Sequence, residues 1–278
     1  MANFSYYVAN HLMTNDIRAG NTYFLGYDAG EAANADKVKA LSTDDLRSLM
    51  TWTPSLHTWT YASGTTMYTT GNVTTIYPKG TKLTLVNSTQ KYCYVTDASY
   101  SSGTGRTTLT LFGGLAAFLS NTTISSVYYS HAAVAPGFTE WITWSVTGWT
   151  NFSLGNGTMV AKIRINGSGV VQGFINVVYG STTSISGSVS LAAPITPLGY
   201  GAGGGGYAII GQGEYADVGS GLYRGPLILR PATNSIELRV GVASGTYVSD
   251  SAVTASVPFT WAVTGSPDEF DLKFEYMF

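Results

Sequence analysis

The chain has 278 residues, enough for one large or two modest domains that each bury a core. Charged side chains make up 11% of it and hydrophobic ones 44%, a balance that excludes a disordered chain. A net charge of −2 without any Lys/Arg cluster excludes a surface built to neutralise a row of phosphates, so nucleic acid is not an expected partner.

Residues 1–54 differ chemically from the rest of the chain. The first 50 residues hold six acids and four bases, whereas from Ala98 to Gly213 the ionised side chains are Arg106, Glu140, Lys162 and Arg164. The opening MANFSYYVAN lacks the basic and apolar regions of a secretory leader, and no stretch approaches 18 continuous apolar residues, so neither export nor helical membrane insertion is expected. Within this segment Gly30 to Met50 reads as a short helix, with Ser42 placed as its cap and Leu41 and Leu46 as the flanking apolar pair. Tyr6, Tyr7, Tyr23, Phe24 and Tyr27 lie among glycines in extended or looping chain, suited to an anchoring arm or to an ordinary packed subdomain.

From residue 55 to residue 135 the pattern changes to period two. Met67, Tyr77, Leu83, Leu85, Tyr92, Tyr94, Leu109, Leu111, Val127 and Tyr129 fall in short runs separated by Gly, Ser, Asp and Asn, which predicts a small β-barrel-like module. TTLTL at 107–111, followed by Gly113 and Gly114, reads as a strand ending in a turn that needs positive φ. The single cysteine, Cys93, has no partner for an internal disulfide and reads as a small buried residue.

Residues 136–278 predict a C-terminal antiparallel β-sandwich. MVAKIRI at 159–165 sets Val160, Lys162 and Arg164 against Met159, Ala161, Ile163 and Ile165 on opposite faces, and GVVQGFINVVYG and ISGSVSL continue the strands. Two prolines and a glycine run around residues 194–206 interrupt them. In the last strand Phe270, Leu272, Phe274, Tyr276 and Phe278 alternate with Glu269, Asp271, Lys273, Glu275 and Met277. That alternation imitates the closing strand of an outer-membrane barrel, but the middle strands are too short and irregular for one.

Candidates for chemistry are few. Between Asp97 and Glu214 the one acid is Glu140, against the paired carboxylates of glycoside hydrolysis. Asp268, Glu269, Asp271 and Glu275 read as a solvated strand edge. His11, His57 and His131 stand apart, outside metal-ligand spacing. Gly201, Gly203 and Gly206 satisfy G-x-G-x-x-G, but YAIIGQGEY after them is strand-like, whereas a dinucleotide site needs a helix. The sequons at Asn3, Asn72, Asn87, Asn121, Asn151, Asn156 and Asn166 are expected of a chain this rich in Ser and Thr. Trp141, Trp144 and Trp149 are expected at the junction of the modules or in the sandwich core. The sequence therefore assigns no catalytic, cofactor-binding or metal-binding residue.

The order WTYAS, IYPKGTKLTL, KYCYV, TTLTLFGG, ISSVYYS and PGFTEWITW, from Trp59 to Trp144, resembles a β-rich module of tailed-bacteriophage structural proteins. The module departs from that pattern at Cys93, where an aromatic is usual. The resemblance implies a mainly β virion protein that is not an enzyme, with an N-terminal docking arm at 1–54, a small β module at 55–135 and a jelly-roll-like sandwich at 136–278. It implies a head decoration, fibre or tail-associated subunit, assembled in the host cytoplasm. The implied partners are other copies in a homotrimer, capsid or tail proteins held through the arm, and a host-surface glycan as a further candidate. Two other readings are a carbohydrate-binding adhesin module and a capsule depolymerase; the depolymerase needs more coils and more acids than this chain has.

Overall fold

The computed structural model describes the backbone of residues 24–27 and 38–41, and residues 52–115, 118–166, 169–198, 206–244, 247–261 and 267–278. Strands β1 (Phe24–Tyr27) and β2 (Val38–Leu41) form an antiparallel pair. The helical reading of Gly30 to Met50 is thus corrected where the chain is described, since Val38–Leu41 pairs as a strand. The cap at Ser42 and the turn after it lie outside the described residues. No α-helix occurs among the described residues; Pro231–Thr233 forms a single 3-10 turn.

Seven strands make the first large sheet: β3 (Thr53–Pro54), β4 (Thr60–Ser63), β5 (Thr66–Thr70), β6 (Lys82–Asn87), β7 (Thr89–Ser101), β8 (Arg106–Phe112) and β9 (Ser125–Ser130). They lie in the order β3-β9-β6-β7-β8-β5-β4, all antiparallel. The edge strands β3 and β4 are joined by residues 55–59, a link that spans at most about 21 Å, whereas six flat inter-strand steps would need about 29 Å. The sheet must therefore curl. Inside the curl Met67, Tyr77, Leu83, Leu85, Leu109 and Leu111 are buried together, as their period-two spacing predicts, and Trp59 and Cys93 join them.

Ten strands make the second sheet. They are β10 (Ile142–Thr143), β11 (Thr150–Ser153), β12 (Thr158–Asn166), β13 (Val170–Val178), β14 (Ser184–Ala192), β15 (Ala208–Asp217), β16 (Gly221–Arg230), β17 (Ser235–Ser244), β18 (Tyr247–Ala252) and β19 (Glu269–Met277). Their order is β10-β12-β13-β19-β15-β16-β17-β14-β11, with β18 also paired to β17. The sheet folds over on itself. Phe152 on β11, at one end of the order, packs edge-on against Phe270 on the central β19, with ring centroids 5.6 Å apart. Ala161, Ile163, Val171, Ile175, Val177, Leu227, Leu238, Phe270, Leu272 and Phe274 fill the space between the two layers.

Strand β19 is not a solvated edge. It lies between β13 and β15 and bonds to both along most of its length. Of the four acids expected on its exposed face, Asp268 is instead buried, where its Oδ1 accepts from the Val218 N–H at 3.1 Å. Glu269, Asp271 and Glu275 do share the outer face, because every second residue of a strand points the same way.

The two sheets share a core through β7. Its Cys93 and Val95 face the core of the first sheet, whereas the alternate residue Tyr94 belongs to the core of the second, beside Ala135 and Phe138. Trp52 closes the same contact, with Nε1 donating to the Pro136 carbonyl at 2.8 Å. Gly114 secures the second crossing. Its φ is +85°, a Cβ there would lie 2.0 Å from the Thr143 carbonyl oxygen, and its own carbonyl accepts from the Ser145 N–H.

Candidate binding face on the second sheet

Register across the second sheet builds a continuous outer surface. Lys162, Phe174, Lys273, Gln212 and Pro226 form one row across β12, β13, β19, β15 and β16; Arg164, Gln172 and Glu275 form the next. Trp141 comes just before the edge strand β10, on the side of the chain opposite Ile142, and its ring lies over this surface. Its centroid is 5.7 Å from that of Phe174 at 66°, and the Arg164 guanidinium sits 4.9 Å from the indole centroid.

A polar chain runs beneath the indole. The Arg164 guanidinium is 3.7 Å from the Glu140 carboxylate and donates through Nε to Gln172 Oε1, and Gln172 Nε2 donates to Glu275. The amide of Gln172 is thereby held at both ends. A groove of about 480 Å³ lies along this surface, lined by Trp141, Gln172, Gly173, Phe174, Ile210, Gly211, Lys273, Phe274 and Glu275.

The other candidates take structural positions. Trp144 is buried against Phe274, and Trp149 packs on Phe152 and Phe270. His57 meets the rings of Trp59 and Tyr77, and His131 those of Tyr129 and, at 3.5 Å, the Thr81 hydroxyl; His11 lies outside the described residues. Cys93 is fully buried, and that burial pushes its thiol far above the ordinary range, which leaves it inert. Gly201 and Gly203 lie outside the described residues, while the chain after Gly206 enters strand β15 rather than a helix. Of the sequons, Asn87 is buried, with its amide donating to Thr122 Oγ1 at 2.8 Å. Among the described residues no group of three or more His, Cys, Asp or Glu is placed to hold a metal. None of the described helices is long and apolar enough to cross a membrane.

Two further features were not legible in the sequence. Glu140, seen there as a lone acid, pairs with Arg164 and lies 4.0 Å from the ammonium of Lys82. Lys82 is buried and donates to the carbonyls of Ala132 and Ala133; burial lowers its pKa and Glu140 opposes that shift. A second concavity, of about 580 Å³, lies where Lys79, Asp97 and Phe112 of the first sheet approach Trp144, Pro197 and Phe278. The alternation of MVAKIRI does place Arg164 and Lys162 outward, but only register shows that Phe174, Gln172, Lys273 and Glu275 join them.

Compared with family models, with curated proteins and with solved structures, the chain matches none of them.

Proposed function

We propose that this chain is a structural subunit of a tailed-bacteriophage particle, a head decoration, fibre or tail-associated protein that assembles by protein–protein contact. The observation that carries the reading is the path of the landmark stretch. The strands from Thr60 to Ser130 lie within one curled sheet, and PGFTEWITW leads from it into the core of the second through Phe138 and Trp144. Two antiparallel sheets in this order support the reading, in which the first is the small barrel-like module and the second the jelly-roll-like sandwich of the resemblance.

In this reading the first 50 or so residues anchor the chain to capsid or tail proteins, the first sheet acts as a spacer and the second projects from the particle. Copies associate as a homotrimer, so stability depends on the assembly as well as on the single chain. The protein acts without a cofactor and without catalysis.

The test is made on particles. Purified particles of the phage that encodes the chain should contain it by mass spectrometry and bind an antibody against it by immunogold microscopy. A chain lacking residues 1–50 should remain folded and fail to incorporate. Absence of the full-length chain from the particles overturns the proposal, and incorporation of the shortened chain overturns the anchor.

A further inference from the structure

The outer face of the second sheet carries a combination that packing alone does not account for. All six tryptophans are described, and Trp141 is the one that is exposed, at 36% of its full surface. Neighbours on both sides of it in the chain, Phe138 and Trp144, are buried. Its indole N–H has no hydrogen-bond partner among the described residues. The ring is nevertheless held in place, by Arg164 at 4.9 Å and by an angled contact with the Phe174 ring.

We propose that Trp141 and Phe174, with Gln172, Lys273 and Glu275, form a binding site for a neutral pyranose sugar. A pyranose has an apolar face of C–H groups and a rim of hydroxyls that both donate and accept. The apolar face matches the electron-rich face of an indole. The rim needs donors and acceptors beside that ring, and Gln172, Lys273 and Glu275 supply them from adjacent strands. These polar groups sit on paired strands, and the Gln172 amide is fixed between Arg164 and Glu275, so little freedom is lost on binding. The groove, about 480 Å³, falls within the size range of small-ligand sites.

Charge selects a neutral sugar. Lys162, Arg164 and Lys273 share this face with Asp271 and Glu275, and Glu140 pairs with Arg164 beside them, so neither sign is in excess toward a charged ligand. A purely apolar occupant would strip water from Gln172, Lys273 and Glu275 without replacing it, which is unfavourable.

This inference gives a place in the fold to the glycan partner that the resemblance implies, rests on the geometry of this face, and is tested separately from particle incorporation. The full chain and the variants Trp141→Ala and Lys273→Met are applied to an array of neutral and acidic oligosaccharides, with their melting curves compared first. The expected result is retention on neutral glycans, weakened roughly tenfold by Trp141→Ala at unchanged melting temperature. Weaker retention of Lys273→Met on the same glycans supports the site independently. Retention on no glycan, retention on acidic glycans alone, or equal retention of Trp141→Ala and the unaltered chain overturns the proposal.

Discussion

The phenol of Tyr94 donates a hydrogen bond to the carbonyl oxygen of Glu140 at 3.0 Å, tying strand β7 of the first sheet to the segment that leads into the second. The ring lies in the core of the second sheet although its strand belongs to the first, with the Phe138 ring 4.9 Å away at 74°. A buried phenol of this kind stabilises only because its hydroxyl has found a partner.

Tyr94→Phe keeps the ring and removes the donor, and is expected to destabilise the protein by about 1 kcal/mol in urea unfolding. Tyr179 makes the opposite case. Its ring stacks on Trp261 at 4.8 Å, but its buried hydroxyl has no partner among the described residues. Tyr179→Phe is expected to be neutral or to stabilise by up to about 1 kcal/mol. Equal losses in the two variants would show that the Glu140 bond is not what distinguishes them.

Lys82→Met tests the second tie between the sheets. The substitution keeps most of the stem but strips the donor from the Ala132 and Ala133 carbonyls, and it leaves Glu140 with Arg164 as its remaining cation within 4.0 Å. A loss of about 2 kcal/mol is expected, measured as a shift of the unfolding midpoint at constant slope. A loss below about 0.5 kcal/mol would mean that water replaces the ammonium at those carbonyls.

Alkaline pH acts on the tyrosines. Burial raises the phenols of Tyr77, Tyr94, Tyr179 and Tyr215, that of Tyr94 to about 12. A folded-state pKa above the unfolded value of 10.0 means that the folded chain keeps a proton the unfolded chain gives up. The associated stability is complete below pH 10 and is lost as pH rises through the folded value, by up to about 1.4 kcal/mol per pH unit for each tyrosine. The lowered pKa of Lys82 acts with the opposite sign, because the unfolded chain holds that proton longer, but it is one group against four. Melting temperature should therefore stay level toward pH 9 and fall steeply above pH 10, with these phenols ionising late in an absorbance titration at 295 nm.

Strand spacing gives a steric test. A Cβ at Gly225 on β16 would lie 2.2 Å from the Arg239 carbonyl oxygen and 2.4 Å from the Val240 Cα, both backbone atoms of β17. Gly225→Ala is expected to cost about 3 kcal/mol, since backbone cannot rotate away as a side chain can. Gly103 has only the Ser101 Oγ near it, at 4.0 Å, so Gly103→Ala should change stability by less than about 0.5 kcal/mol. Thermal unfolding of the two variants side by side separates crowding from the general effect of adding a methyl group.

Period-two spacing was enough to read the β content, the buried set around Met67, Leu83, Leu109 and Leu111, and the division of MVAKIRI into an inner and an outer face, because side chains alternate along any strand. It misled where a strand is covered on both sides or a partner intervenes. Tyr94 and Cys93 are both buried, one in each core, which alternation on a single strand cannot distinguish from one core and one wet face. Val38–Leu41 falls in the stretch read as helical from the Ser42 cap and the Leu41 and Leu46 pair, but it forms a strand with Phe24–Tyr27. Its pairing partner lies outside any local window.

Composition and alternation, both local properties of the chain, were sufficient to make this a β protein with a chemically distinct first segment. Strand order and register were needed to put β19, last in the chain, at the centre of its sheet, to join Lys82 to Arg164 through Glu140, and to set Trp141 on one face with Phe174, Gln172 and Glu275. These relationships connect residues as many as 134 positions apart, from Trp141 to Glu275. Pairing of that kind is set by how whole faces bury one another, not by any run of neighbouring residues.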